Sequence, residues 1–131
     1  MLDVFASPPQ GIQEAPHDPR LSAAGHQVAL RAVNLSCATD ERSLMQELMR
    51  GLSVPLEAIQ SWDHVLVAMT QPEQPERYGV LLQGYRDFCY RQRRLCGQLD
   101  AVLTEAQRLQ AAQGKQMYLL AAYAETDPDH F

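Results

Sequence analysis

The amino-acid sequence predicts an α/β protein with a small three-stranded parallel sheet covered by about four helices. Three short apolar runs carry this prediction, at residues 28–35, 78–83 and 117–123. Parallel strands that are buried on both faces have such continuous apolar sequences. Because two segments with helical periodicity separate each run from the next, the connections are long enough to cross over between parallel strands.

The length and composition of the chain fit one packed domain. The 131 residues are 46% hydrophobic and 21% charged, which suffices for one hydrophobic core. No apolar run reaches the roughly 18 residues that a membrane-spanning helix requires. The first residues lack the basic segment and long apolar stretch of a secretory signal, so we expect a soluble cytoplasmic protein.

Three segments are expected along the chain. Residues 1–26 contain four prolines and two glycines with little apolar periodicity, which predicts an extension that need not be structured. Residues 27–122 hold the predicted strands and helices and form the domain. Residues 123–131 are rich in acidic residues and form a C-terminal tail.

Two helices are predicted between the first and second strands. Thr39 or Asp40 can cap the first helix, which ends near Gly51 and Pro55. The second helix is stopped by prolines in residues 72–75. Its apolar stripe, which predicts that the tryptophan packs in the core, comprises Ile59, Trp62, Val65, Leu66 and Met69.

Two further helices are predicted between the second and third strands. Residues 85–96 mix aromatic side chains with arginines and form a short helix that ends before Gly97. Residues 99–109 have apolar side chains at helical spacing. Gly114 follows them at the position where a left-handed C-terminal cap is favoured.

The three cysteines, Cys37, Cys89 and Cys96, fit neither a disulfide framework nor a zinc site. They are odd in number and contain no Cys-x-x-Cys pair, so we expect reduced thiols. Cys89 and Cys96 would share one face of a continuous helix, where buried small hydrophobic residues are the favoured interpretation. No metal or cofactor is expected, and no catalytic motif is present, so we do not expect an enzyme.

Charge is segregated along the chain. Residues 40–76 have a net charge of −5 and residues 77–120 a net charge of +4. The acidic region suits a basic protein partner, although ordinary solvated surfaces explain it equally well. The arginines and aromatic residues of segment 85–94 suggest an alternative, an RNA-binding surface. The net charge of −5 for the whole chain disfavours that alternative.

Several short sequence words between residues 28 and 122 resemble those of one protein family. Leu52-Ser-Val-Pro55 matches a turn after the first helix, and Ser61-Trp62-Asp63 matches the opening of the second helix. Ala112-Gln113-Gly114 precedes the last strand as in the same family. In their order and spacing these words resemble barstar and its relatives, small intracellular inhibitors that bind and block a bacterial ribonuclease.

The resemblance implies that the second helix and the preceding loop fill the active site of a protein toxin. The toxin would be a nuclease with a basic active site, and the inhibitor would be monomeric when free and contact neither nucleic acid nor membrane. The partner-binding residues implied are Glu57, Gln60, Asp63, His64, Val67 and Asp100.

Two departures from the family affect the identity of the partner. Val67 stands where the best-known members carry a second aspartate, and Glu57-Ala58-Ile59 replaces their Tyr-Tyr-Gly stretch. These changes imply a different toxin, such as one delivered by a competing bacterium. The alternative is a protein-interaction or regulatory module with this fold and no toxin partner, which would bind through Val67.

Overall fold

The computed structural model describes residues 4–52, 61–70 and 75–122. These residues form four strands and five α-helices, with short 3-10 helices at Val4–Ala6 and Leu35–Cys37. The strands are β1 (Ile12–Glu14), β2 (Ala29–Asn34), β3 (Arg77–Gln83) and β4 (Gln116–Ala122). The helices are α1 (Pro19–Gly25), α2 (Glu41–Leu52), α3 (Trp62–Met69), α4 (Tyr85–Arg91) and α5 (Arg93–Ala112).

The strands form one parallel sheet in the order β1-β4-β3-β2, which confirms the α/β class. The three apolar runs became β2, β3 and β4. The prediction of three strands is wrong, because Ile12–Glu14 adds a fourth strand alongside β4, in register from Ile12 with Leu119. This strand comes from the segment that was expected to be an extension. Its three residues are too few to show an alternating or continuous apolar pattern.

Each face of the sheet carries its own hydrophobic core. Helices α2, α3, α4 and α5 pack on one face, around side chains that include Leu48, Val80 and Leu103. The N-terminal segment covers the other face with a smaller cluster that includes Phe5 and Tyr118. The sheet is therefore buried on both sides, as its uninterrupted apolar strands require.

Polar contacts of the sheet hold the N-terminal segment in place. The Arg77 guanidinium donates hydrogen bonds to the backbone carbonyls of Phe5, at 2.7 Å, and His26, at 2.5 Å. The hydroxyl of Tyr118 donates to the carbonyl of Ser7 at 2.7 Å. These bonds span more than fifty residues of sequence, so they belong to tertiary structure and have no local sequence signal.

Gln107 on α5 makes a second connection to this segment. Its side-chain oxygen accepts a hydrogen bond from the amide of Gly11 at 2.8 Å, directly before β1. Its amide nitrogen donates to the carbonyl of Met117 on β4 at 2.9 Å. One half-buried side chain thus bridges the helix layer to β4 and to the segment directly before β1.

Helix α2 begins and ends as its sequence predicts. The Asp40 carboxylate accepts a hydrogen bond from the amide of Ser43 at 2.8 Å, as an N-terminal cap does. Near the other end, Gly51 lies against β2. A Cβ atom at Gly51 would be 2.5 Å from the carbonyl oxygen of Ala32 and 2.6 Å from Cγ2 of Val33. Only glycine allows this close approach of helix and strand.

The break between α4 and α5 lies at Gln92, and Gly97 is inside α5, so the prediction of a helix ending before Gly97 is wrong. Gln92 has a non-helical backbone conformation, with φ −130° and ψ 66°. Its side-chain amide donates to the carbonyl of Thr39 at 2.8 Å. This bond holds the corner between α4 and α5 against the loop that precedes α2.

Cys89 and Cys96 form a disulfide across this corner, so the prediction of reduced thiols is wrong for this pair. The break at Gln92 folds the chain back and brings the two Cα atoms to 5.0 Å. The expectation of reduced thiols rested on the odd number of cysteines and the lack of a Cys-x-x-Cys pair, and neither observation reports this helix break. None of the helices in the described ranges is long and apolar enough to cross a membrane.

Candidate functional site

The exposed face of α3 carries three of the predicted partner-binding residues. Asp63, His64 and Val67 are exposed, and the valine side chain retains 55% of its accessible surface. Residues three and four positions apart share one face of a helix, so these three side chains form a continuous surface. The opposite side of α3 packs into the core through Val65 and Met69.

The N-terminal end of α3 is capped by Ser61. Its hydroxyl oxygen accepts a hydrogen bond from the amide of His64 at 3.4 Å. Trp62 is partly buried and packs against the main core, as predicted from the apolar stripe. Asp63 lies in the first turn, where the helix dipole stabilises a negative charge. The sequence therefore places this carboxylate at the N-terminal end of the helix, within the exposed first turn.

The C-terminal end of α3 is held by buried polar groups. The last carbonyl of the helix, on Met69, accepts hydrogen bonds from the Tyr78 hydroxyl at 2.7 Å and from Nε2 of Gln110 at 2.6 Å. Burial raises the pKa of the Tyr78 phenol to about 12, so its hydroxyl stays protonated and able to donate. Helix α3 is thus fixed at both ends, and its exposed face has a defined orientation.

Asp100 is held by a partner on the neighbouring helix. The Tyr85 hydroxyl is 2.7 Å from Oδ1 and 2.8 Å from Oδ2 of this carboxylate. Burial, the hydrogen bond and the negative charge of Asp100 all raise the pKa of Tyr85. Asp100 lies on α5 rather than on the exposed face of α3, so the structure does not gather all predicted contacts on one helix.

The loop residues predicted to contact the partner, Glu57 and Gln60, lie outside the described residues. Sequence reasoning missed two residues that shape the site, namely Tyr85, which binds Asp100, and Gln110, which fixes the end of α3. Both act across elements that are distant in sequence. No local pattern could have revealed them.

The arginine and aromatic segment is partly engaged within the protein, while Tyr90, Arg93 and Arg94 are exposed. Arg86 forms an ion pair with Glu14 of β1, and Arg91 forms one with Asp87 at 2.8 Å. Phe88 is fully buried. This leaves fewer charges and rings available to RNA than the sequence alone suggested. The structure gives the RNA-binding alternative no additional support.

The described residues contain no group of three or more His, Cys, Asp or Glu side chains arranged to hold a metal ion. The exposed face of α3 presents one carboxylate, one imidazole and one aliphatic side chain. Comparison with known proteins adds no identification, since no family model and no curated protein matches the chain.

Proposed function

We propose that the protein is a cytoplasmic inhibitor, an immunity protein or antitoxin, that occludes the active site of a ribonuclease or related bacterial toxin. The observation that carries this proposal is the exposed face of α3, which presents Asp63, His64 and Val67 from a helix fixed at both ends. A rigid helix with exposed charged and apolar side chains suits insertion into a cleft.

The order of elements supports the same proposal. From β2 to β4 the elements follow in the order strand, two α-helices, strand, two α-helices and strand. The resemblance to barstar implies the same order. The words Ser61-Trp62-Asp63 and Ala112-Gln113-Gly114 fall at the start of α3 and the end of α5. The positions of these two motifs support the proposed relationship to barstar-like inhibitors.

The proposed mechanism is occlusion by a protein surface. Asp63 would pair with a lysine or arginine that normally binds substrate phosphate in the toxin. Val67 would cover an apolar part of the cleft. A specific interface buries about 800 Å² on each partner, more than three side chains supply. The loop containing Glu57 and Gln60 would therefore contribute the remaining contacts, with Asp100 at the edge.

Replacement of Asp63 by lysine tests this interface. The tagged wild-type chain is used to capture proteins from its source organism and from competing bacteria, and the retained toxin is purified for calorimetry. We expect Asp63→Lys to weaken binding at least tenfold, because a close charge pair becomes a repulsion. Glu76→Lys makes the same change of charge at an exposed position outside α3 and should leave binding within twofold. Equal binding by both variants would refute the proposed surface.

A second function is favoured by the exposure of Val67. An apolar side chain at 55% exposure could instead join this fold to a regulatory partner or to a second copy. Sedimentation separates the two functions. Concentration-dependent association that Val67→Lys abolishes, together with no inhibition of any captured nuclease, would favour the interaction module over the inhibitor.

A further inference from the structure

The corner between α4 and α5 is closed by a covalent bond that a straight helix could not form. Residues seven apart in a continuous α-helix are separated by about 10.5 Å along the axis. A disulfide requires Cα atoms roughly 4.4–6.8 Å apart. Cys89 and Cys96 meet this requirement at 5.0 Å because the chain bends at Gln92. The bond is therefore compatible only with the bent arrangement of the two helices.

Only non-covalent contacts would hold α4 in place without this bond. The buried Phe88 ring anchors one side of the helix, and Gln92 reaches the carbonyl of Thr39. The ion pair between Arg86 and Glu14 lies at the surface, where such pairs contribute little. Helix α4 has seven residues, too few for independent stability. The disulfide therefore adds a covalent constraint to a short helix that is otherwise positioned by non-covalent packing.

The disulfide lies directly beside the Tyr85–Asp100 pair. Sγ of Cys96 is 4.0 Å from Oδ1 of Asp100, the same oxygen that accepts from the Tyr85 hydroxyl at 2.7 Å. In the disulfide, Cys96 has no hydrogen to donate. As a free thiol it would have one, and the nearest carboxylate oxygen is that of Asp100.

We propose that Cys89 and Cys96 are a reversible thiol–disulfide switch that controls how firmly α4 holds Asp100. In the oxidised state the bond fixes α4, and Tyr85 alone donates to the carboxylate. In the reduced state α4 loosens, and the Cys96 thiol competes with Tyr85 for Asp100.

Reduction needs a dithiol reductant, which transfers two electrons to the disulfide. Its thiolate attacks Sγ of Cys89, which is more exposed than that of the buried Cys96, and the Cys96 thiolate leaves and takes up a proton. The second thiol of the reductant then attacks the mixed disulfide. Cys89 leaves as a thiolate and is protonated, and the reductant departs as its own disulfide. Oxidation by a small-molecule disulfide reverses these steps.

The consequence for binding rests on the proposed function, in which Asp100 contacts the partner. The reduced state would release Asp100 from Tyr85 and change affinity for the toxin. The switch itself is a property of the free protein, so its test needs no partner. Failure of the switch and failure of the inhibitor proposal are therefore distinguished.

The test compares the full chain equilibrated with oxidised glutathione or with dithiothreitol. Alkylation and peptide mass spectrometry report the state of each cysteine, and hydrogen exchange reports the mobility of each helix. We expect the amides of α4 to exchange at least tenfold faster after reduction and those of β3 to change less than twofold. The ring resonances of Tyr85, assigned with Tyr85→Phe, should shift in the same titration.

Two variants serve as controls. Cys37→Ser should keep the full response, because that cysteine is outside the pair. The double variant Cys89→Ser/Cys96→Ser should exchange like the reduced protein in both buffers. The proposal is overturned if the bond does not form in oxidised glutathione, or if it forms while α4 exchange and the Tyr85 signals stay unchanged. An equal increase of exchange in α4 and β3 after reduction would also overturn it. That result would mean that the disulfide stabilises the whole fold and not α4 in particular.

Discussion

Replacing Phe5 by alanine tests whether the N-terminal segment is part of the folded core. The Phe5 side chain is 1% exposed and packs edge-on against Tyr118, with ring centroids 5.0 Å apart and planes at 79°. Truncating a buried phenylalanine to alanine costs about 3–5 kcal/mol. The aromatic pair accounts for about 0.5–1.5 kcal/mol of that loss.

Urea denaturation followed by circular dichroism measures this loss. With a denaturant slope of about 2 kcal/mol/M, the expected cost lowers the urea midpoint by about 1.5–2.5 M. Leu21→Ala is the matched control, since Leu21 lies on α1 in the same segment but is 70% exposed. Its free energy of unfolding should change by less than about 0.5 kcal/mol. Equal, small effects of both variants would refute the packing of this segment on the sheet.

Two further predictions concern single contacts in the core. Gly51→Ala should lower the free energy of unfolding, measured by thermal denaturation, by about 1–3 kcal/mol. The added methyl group overlaps Ala32 and Val33 of β2, and this cost exceeds the gain from the better helix propensity of alanine. Unchanged stability would contradict this close approach. Tyr78→Phe should cost about 1 kcal/mol at pH 8, because the carbonyl of Met69 loses a hydrogen bond. The folded pKa of Tyr78, about 12, lies above its ordinary value of 10.0, so wild-type stability falls between these pH values. Phenylalanine has no ionisable hydroxyl, so the difference in free energy of unfolding between the variant and the wild type should shrink from pH 10 upward in urea titrations. A difference that stays constant with pH would refute the role assigned to the phenol.

The three longer strands, β2, β3 and β4, could be predicted because each lies in a continuous apolar run. Strand β1 could not, since the three residues Ile12–Glu14 carry no periodic signal and lie among prolines and glycines. Its position depends on pairing with β4 and on Gln107, which accepts a hydrogen bond from Gly11, and both contacts come from distant parts of the chain. Local sequence cannot encode contacts of that range.

The exposed face of α3 could be predicted in part. The apolar stripe through Trp62 and Val65 left Asp63, His64 and Val67 on the other side, and the structure confirms that these three are exposed. The environment of Asp100 could not be predicted, because its hydrogen bond to Tyr85 depends on a helix break at a residue with no strong breaking tendency. Gln92 is non-helical because of tertiary contacts. The disulfide was missed for the same reason.

The pairing of the first strand with the last has a consequence for biosynthesis. Ile12 is synthesised before its register partner, Leu119, which follows more than a hundred residues later in the chain. Until β4 has been synthesised, Ile12–Glu14 has no neighbouring strand with which to pair. Residues 27–112 can begin to organise around β2 and β3 during translation, whereas the sheet closes only after synthesis of β4. Contacts between such distant residues slow folding. A nascent chain stalled before residue 116 should therefore leave residues 4–26 open to protease, and synthesis past residue 122 should protect them.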